Sequence, residues 1–137
     1  MQEPKKAVYI YEETNYFPGT DTFVDSVADN GNAVVFEDDE RTGYFYAVDG
    51  VNSSKILDAR HIYNVDSLID KDRVSILEIL WSEDESIAFL SINGYYHALF
   101  DFKNKAGYCR NGFPDSGEWC AMKQTTLTDE MLETIIP

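Results

Sequence analysis

Apolar and aromatic residues occur along this chain in short runs separated by turn-forming residues, the pattern expected of β-strands. The clearest stretch predicts three consecutive strands: Val74–Trp81, Ile87–Ile92 and Tyr95–Phe102. Asn93-Gly94 joins the last two, and this dipeptide favours a type I′ turn because both central residues need a positive φ. Ser82–Ser86 separates the first two strands and predicts a second tight connection.

Other runs predict further strands on both sides of this segment, at Ala7–Tyr11, Thr22–Ala28, Ala33–Phe36, Gly43–Val48, Ile56–Val65 and Trp119–Met122. Asp66–Asp72 suits one helical turn, and Lys103–Ser116 suits a polar loop. Thr128–Ile136 predicts a helix that Thr128 caps and that carries Leu127, Met131 and Ile135 on one face.

These elements predict a mainly β (α+β) protein. We expect residues 1–137 to form a single β-rich domain. Its architecture should be an antiparallel sheet, a sandwich or a half-barrel of about seven to eight strands with one C-terminal helix.

The two turns also predict which residues share a face of the central sheet. A five-residue loop at Ser82–Ser86 sets Trp81 opposite Ile87, and the Asn93-Gly94 turn sets Ile87 opposite Phe100. The predicted core face holds Leu77, Ile79, Trp81, Ile87, Phe89, Ala98, Phe100 and Phe102. The predicted opposite face is mixed and holds Ile76, Glu78, Leu80, Ala88, Leu90, Tyr95, His97, Leu99 and Asp101. A four-residue loop would shift this register by one residue and mix the two faces.

Composition adds a strong acidic character to the β-rich pattern. The 137 residues include 11 Lys and Arg against 25 Asp and Glu, which gives a formal net charge of −14. Nucleic-acid phosphates and anionic membranes would repel such a chain, so we expect neither as a partner and favour a basic protein. The alternative is that the acidity only keeps the protein soluble.

No targeting or membrane segment is apparent in the sequence. The first residues are polar, and no apolar run approaches the roughly 20 residues of a membrane span. We therefore expect a cytoplasmic protein, in which Cys109 and Cys120 are thiols rather than a disulfide. The ten-residue gap between the two cysteines matches no common zinc spacing.

Two acidic loops are candidate contacts for a basic partner. One carries Glu37, Asp38, Asp39 and Glu40, and the other carries Glu83, Asp84 and Glu85. Loops at the same end of a sheet would form one negative patch, whereas loops at different ends would be two separate solvated turns. Exposed aromatic residues among Tyr44, Tyr46, Tyr95 and Tyr96 would complete the contact surface.

Templates for catalysis are sparse. The chain lacks a phosphate-binding loop, a calcium loop and a zinc-protease motif, so we expect no cofactor and no bound metal. The predicted positions of Glu78, His97 and Asp101 are too far apart for a catalytic triad. A small-ligand site or a hydrolase-like site would have to use polar residues among Asp58, His61, His97, Asp101, Cys109 and Arg110. Arg110 beside Cys109 could lower the pKa of that thiol.

Several blocks together resemble the bacterial family of unknown function DUF2251. They are Phe36–Ala47, Ile56–Val65, Ile92–Phe102 and Gly107–Pro114, and the resemblance covers about residues 33–119. It implies a small bacterial cytoplasmic protein and supplies no catalytic residues. Our leading hypothesis is a non-enzymatic binding protein, such as an immunity protein that neutralises a toxin. The alternative is a ligand-binding protein or a hydrolase-like enzyme, and sheet-edge homo-oligomerisation is a further possibility.

Overall fold

The computed structural model describes residues 5–52, 55–69, 71–114, 118–120 and 125–137. Within them lie β1 (Val8–Tyr16), β2 (Thr22–Val27), β3 (Ala33–Asp38), β4 (Thr42–Val48), β5 (Ile56–Asn64), β6 (Ser75–Ser82), β7 (Ile87–Ile92), β8 (Tyr95–Asp101), β9 (Ala106–Cys109) and α1 (Asp129–Ile135). A short 3-10 helix, Val65–Ser67, follows β5.

The strands form two antiparallel sheets packed face to face. The first sheet has the order β1-β6-β7-β8-β9, and the second has the order β2-β3-β4-β5. The predicted mainly β fold with one C-terminal helix is confirmed as an open two-sheet sandwich rather than a closed barrel.

Most predicted strands are present, with three differences. β1 extends to Tyr16, beyond the predicted end at Tyr11, and β9 lies inside the segment predicted as a polar loop. Trp119 and Cys120 belong to no strand, and residues 121–122 of the predicted last strand lie outside the described residues.

The main core lies between the sheets. The first sheet contributes Leu77, Ile79, Trp81, Ala88, Leu90, Ile92, Ala98 and Phe100, and the second contributes Val34, Phe36, Phe45 and Ala47. The rings of Phe45 and Phe100 stack at 5.1 Å across this layer. The indole N–H of Trp81 donates to Ser26 Oγ at 2.9 Å, so the one polar atom of that buried ring is satisfied.

The predicted register was wrong at β7. Trp81 lies opposite Ala88, not Ile87, because the β6–β7 loop is one residue shorter than predicted. A β-bulge between β7 and β8 then restores the register, so Phe100 opposes Ala88 and returns to the core face. Ala88 and Leu90 therefore face the core, whereas Ile87 and Phe89 face the other side of the sheet.

The outer face of the first sheet is covered by α1. Leu80, Ile87, Phe89 and Leu99 form a second cluster with Leu127 and Leu132 from the C-terminal segment. Thr128 caps the helix as predicted, since its Oγ1 accepts a hydrogen bond from the N–H of Met131. The face predicted to be mixed is thus largely a second apolar layer.

The two ends of the sandwich differ. At one end, the β6–β7 loop is bonded to the β2–β3 turn, because the Glu85 carbonyl accepts from Asn30 and Asn32 Nδ2 at 2.9 and 3.1 Å. We call this the closed end. At the other end lie the β7–β8 turn, the β3–β4 loop and the segment after β5. The turn and the segment after β5 border a cavity between the sheets. We call this the open end.

Candidate functional site

The outer face of the second sheet carries the most unusual surface of the described chain. No helix formed by the described residues covers it, and its apolar side chains include Phe23, Val27 and Ile56, which are 65%, 57% and 55% exposed. We call this surface the open face and define it by Phe23, Asp25, Val27, Ala33, Val35, Glu37, Tyr44, Tyr46, Val48 and Ile56. Contiguous exposed apolar patches of this kind mark interaction sites more often than isolated apolar residues do.

Strand alternation explains how these residues come to share one face. Successive side chains of a strand point to opposite sides, so Val34 and Phe36 enter the core while Val35 and Glu37 point outward. The pairs Asp25–Val35 and Val35–Tyr46 are directly opposed across three strands, which makes the outward positions contiguous.

A row of aromatic rings crosses the open face toward β5. Tyr44 and Tyr46 stack with ring centroids 5.8 Å apart and planes at 15°. His61 meets the ring of Tyr44 edge-on at 5.2 Å and the ring of Phe113 edge-on at 5.9 Å. Rigid aromatic side chains of this type supply contact area with little loss of conformational entropy, as in many protein interfaces.

A groove on this face combines apolar walls with an acidic rim. Its volume is about 310 Å³, and it is bordered by Phe23, Val27, Val35, Tyr46 and Ile56. Asp25, Glu37 and Asp49 also line it, whereas none of the described lining residues is Lys or Arg. Burial, and then the Glu37 carboxylate, raise the pKa of Tyr46, so its hydroxyl remains a neutral hydrogen-bonding group.

The two predicted acidic loops lie at opposite ends of the sandwich. The β3–β4 loop is at the open end, and the β6–β7 loop is at the closed end beside the turn that precedes Ala33. The six residues of β3 separate them, a span of roughly 20 Å. They are therefore two separate turns and do not form one negative patch.

The side chains of the β3–β4 loop are mostly occupied in holding the loop. Asp38 is fully buried and accepts hydrogen bonds from Gly19 N–H, Glu40 N–H and the Tyr63 hydroxyl, so it is not an exposed contact residue. Asp39 accepts from the N–H groups of Thr42 and Arg41, and these bonds lower the pKa of its carboxyl. Glu37 lies on the open face with Tyr44 and Tyr46.

The second acidic loop is likewise partly structural. Asp84 accepts from the hydroxyls of Ser82 and Ser86 and forms an ion pair with Lys6 at 3.1 Å. The carboxylate of Glu85 accepts from the Tyr11 hydroxyl at 2.7 Å and from Asp29 N–H at 3.1 Å. Glu83 is exposed.

The six residues proposed as an alternative ligand site are dispersed among separate structural roles. Asp58 forms a bidentate pair with the buried Arg60, whose Nε and Nη2 lie 3.1 and 2.8 Å from Asp58 Oδ2. Asp101 accepts from the backbone N–H and the side-chain amide of Asn104 and so closes the β8–β9 turn. Neither carboxylate is positioned beside a histidine by the bonds it makes.

Cys109 and His61 are linked through Asn111. The Cys109 thiol donates to Asn111 Oδ1 at 3.1 Å, and Asn111 Nδ2 lies 3.1 Å from His61 Nδ1. Burial raises the pKa of the Cys109 thiol despite the nearby Arg60, so the thiol is protonated at neutral pH. The arrangement fastens the loop after β9 onto β5 and does not provide an activated nucleophile.

Arg110 and His97 both contact the Tyr95 ring but differ in their other contacts. Arg110 donates from Nε to the Tyr96 carbonyl, lies 4.4 Å above the Tyr95 ring and pairs with Asp129 of α1 at 2.9 Å. Arg110 therefore anchors the helix that covers the first sheet. His97 lines the cavity between the sheets, so it does not share a face with Glu78, which opposes Glu13 on the outer side.

Sequence reasoning missed the apolar residues of the open face, Phe23, Val27, Val35 and Ile56, and two carboxylates that line its groove, Asp25 and Asp49. The alternation in Thr22–Val27 was a usable signal, since Phe23, Asp25 and Val27 are spaced by two. The second signal was that a single predicted helix can cover only one of two sheets.

Comparison with known proteins identifies the family of this chain but no reaction. The family model described as "Uncharacterized protein conserved in bacteria (DUF2251)" matches residues 16–136. An "Uncharacterized protein" of Haemophilus influenzae is 39% identical over 132 residues, covering 94% of this chain and 82% of that relative. No solved structure matches the chain.

Among the described residues, no helix is long and apolar enough to cross a membrane. No group of three or more His, Cys, Asp and Glu side chains in the same residues is arranged to hold a metal ion.

Proposed function

The chain belongs to the DUF2251 family, and we propose that it is a non-enzymatic binding protein that takes a basic protein partner on its open face. The single observation behind this proposal is the groove of the second sheet, in which exposed Phe23, Val27 and Ile56 surround the buried Val35 and Val48, with a stacked Tyr44–Tyr46 pair and three carboxylates beside them. Large exposed apolar side chains at this density are the usual centre of a protein interface.

Charge selects the class of partner. The groove is lined by Asp25, Glu37 and Asp49 without a described cation, and the whole chain carries a net charge of −14. Such a field attracts basic proteins and raises their association rate, while it repels acidic ones. An aliphatic or aromatic side chain of the partner would fill the groove, and Lys or Arg side chains would pair with its rim.

A toxin-neutralising immunity protein fits this description. Immunity proteins act by occupying the toxin, so they need a complementary surface and no catalytic group. The buried Cys109 thiol, together with the occupied Asp58 and Asp101 carboxylates, favours binding over hydrolysis.

The proposal is tested by affinity capture from the native host with three matched baits. The first is the wild-type chain. The second carries D25N, E37Q and D49N on the groove rim, and the third carries E12Q, E118Q and E133Q at exposed positions away from the open face. The second and third baits have the same net charge, so only the location of the lost carboxylates differs.

We expect a basic partner that the wild-type and third baits retain and the second loses, with affinity that falls as salt rises. Co-expression should then suppress the toxicity of that partner, and the D25N/E37Q/D49N variant should not. Equal loss on the second and third baits, capture of only acidic proteins, or recovery of no partner would contradict the proposal.

A further inference from the structure

The cavity at the open end is chemically unlike the rest of the molecule. It has a volume of about 370 Å³ and lies between the sheets, between the end of β1 and the segment after β5. Its walls are apolar or aromatic, from Tyr16, Pro18, Tyr63, Leu68, Ile69 and Ile92. Its polar lining is Ser67, Lys71, Ser75, Asn93 and His97.

Charge separates this cavity from the groove on the open face. Although the chain has 25 Asp and Glu, none of the described residues lining the cavity is acidic, and Lys71 is a formal cation at its mouth. The groove on the open face has three carboxylates and no described cation. Asp66, Asp70 and Asp72 lie near Lys71 in sequence: Asp66 and Asp72 are exposed to solvent, which screens them, and Asp70 is outside the described residues.

The bulge in β8 directs His97 into the cavity. Between Leu90 and Ser91 the register slips by one, and His97 is the extra residue that has no partner on β7. Bulges re-aim a side chain in this way. His97 contacts the Tyr95 ring at 4.9 Å, and no described residue forms a hydrogen bond with its imidazole. Burial, and then the charge of Arg110, lower the pKa of His97 to about 4, so it offers a neutral N–H donor.

The buried carboxylate of Asp38, behind the tyrosine rings of the cavity wall, accepts hydrogen bonds from within the fold. Tyr63 donates its hydroxyl proton to Asp38, so the hydroxyl of Tyr16, 3.1 Å from that of Tyr63, must donate to Tyr63. Asp38 also receives the N–H groups of Gly19 and Glu40. Its negative charge is therefore compensated by donors and screened from the cavity by the two tyrosine rings.

We propose that this cavity binds a small organic anion, a carboxylate with an aromatic or aliphatic body. The body would contact Tyr16, Tyr63 and Leu68, and the carboxylate would take hydrogen bonds from donors among Lys71, Ser75 and His97. Sites of this kind are concave, mostly apolar and fitted with a few polar groups that orient the ligand. The site is independent of the open face and does not rest on the partner proposed for it.

Titration with benzoate, phenylacetate and hexanoate tests the site, with benzamide and benzylamine as uncharged and cationic controls. The readout is the NMR signals of the His97 and His61 rings in the full chain. We expect saturable shifts of His97 with at least one carboxylate, little change at His61, and affinity at least fivefold weaker for benzamide than for benzoate.

Two variants locate the charge contact. K71Q should weaken carboxylate binding about five- to tenfold. K55Q changes an exposed lysine outside the cavity and should leave binding unchanged. Binding of benzylamine or benzamide as tight as that of the carboxylates, equal effects of the two variants, or no saturable shift of His97 with any carboxylate would overturn the proposal.

Discussion

The outer faces of the two sheets are both rich in apolar residues, but the described residues cover only one of them. On the first sheet, Phe89 and Leu99 are fully buried beneath Leu132 of α1. On the second sheet, Phe23 and Val27 occupy comparable outward positions and remain more than half exposed. The apolar pattern of a strand therefore indicates that its face is suited to packing against another surface. Whether an element of the same chain packs there depends on the rest of the sequence.

Charged contacts reinforce the difference. Arg110 ties the covered face to its helix through Asp129 and the Tyr96 carbonyl. On the open face, no described lysine or arginine lines the groove, although Lys55 acts on the Asp49 carboxylate from outside it. The covered face is thus joined to its helix by an ion pair, whereas the cations that would pair with Asp25 and Glu37 are those of the proposed partner.

The largest effect should come from truncating one phenylalanine on each face. Phe89→Ala removes a fully buried ring under α1 and should lower the free energy of unfolding by about 3–5 kcal/mol. Phe23→Ala on the open face should change it by less than about 0.5 kcal/mol. Urea denaturation of both variants measures the difference, and a Phe23→Ala loss as large as that of Phe89→Ala would mean that the open face is covered in solution.

A smaller effect on stability should come from the protonation of His97, which lies between the sheets and not on either outer face. Because the pKa of His97 falls from its ordinary 6.5 to about 4 in the folded state, the unfolded chain binds the proton first as pH falls. Above about pH 6.5, His97 is neutral in both the folded and the unfolded state, and the free energy of unfolding keeps its full value. As the pH falls to 4, the free energy of unfolding should decrease progressively, by on the order of 2–3 kcal/mol.

Denaturation of wild type and His97→Gln at pH 7 and pH 4 isolates that contribution. The wild type should lose more stability between the two pH values than His97→Gln does. Identical pH dependence of the wild type and His97→Gln would place His97 in solvent rather than in the cavity.

The smallest effect should come from the cap of the covering helix. Thr128→Ala removes the oxygen that accepts from Met131 N–H and should destabilise the protein by about 1 kcal/mol. Thr134→Ala makes the same change at an exposed position of the same helix and should stay within about 0.5 kcal/mol. Thermal unfolding distinguishes them, and equal losses would show that α1 is not held by its cap.

Local signals predicted the elements well. Asn93 and Gly94 have φ angles of 54° and 79°, as the type I′ turn requires, and Thr128 caps its helix. Register depended on features without a sequence signature. Glu85 has a φ of 58°, which lets a non-glycine residue close a shorter loop, and the bulge at His97 then reverses the resulting shift.

The candidate site was predictable only where charge and exposure coincide. Glu37, Tyr44 and Tyr46 were predicted as partner contacts and lie together on the open face. Asp38 has the same chemistry in sequence but is buried, because Gly19 and Tyr63, distant in sequence, donate to its carboxylate together with the nearby Glu40 N–H. The position of α1 over the first sheet also depends on long-range packing, so no local pattern could specify which face stays open.

The closed end has a mechanical consequence for the cavity at the other end. Glu85 joins the two sheets through Tyr11 on one side and through Asp29, Asn30 and Asn32 on the other. The open end has a cavity in the equivalent place. At that end the sheets are joined through the hydrogen bond between the Tyr16 and Tyr63 hydroxyls, 3.1 Å long, in the cavity wall. Polar contacts therefore fix the separation of the sheets at both ends, so the cavity is already formed before any ligand enters it.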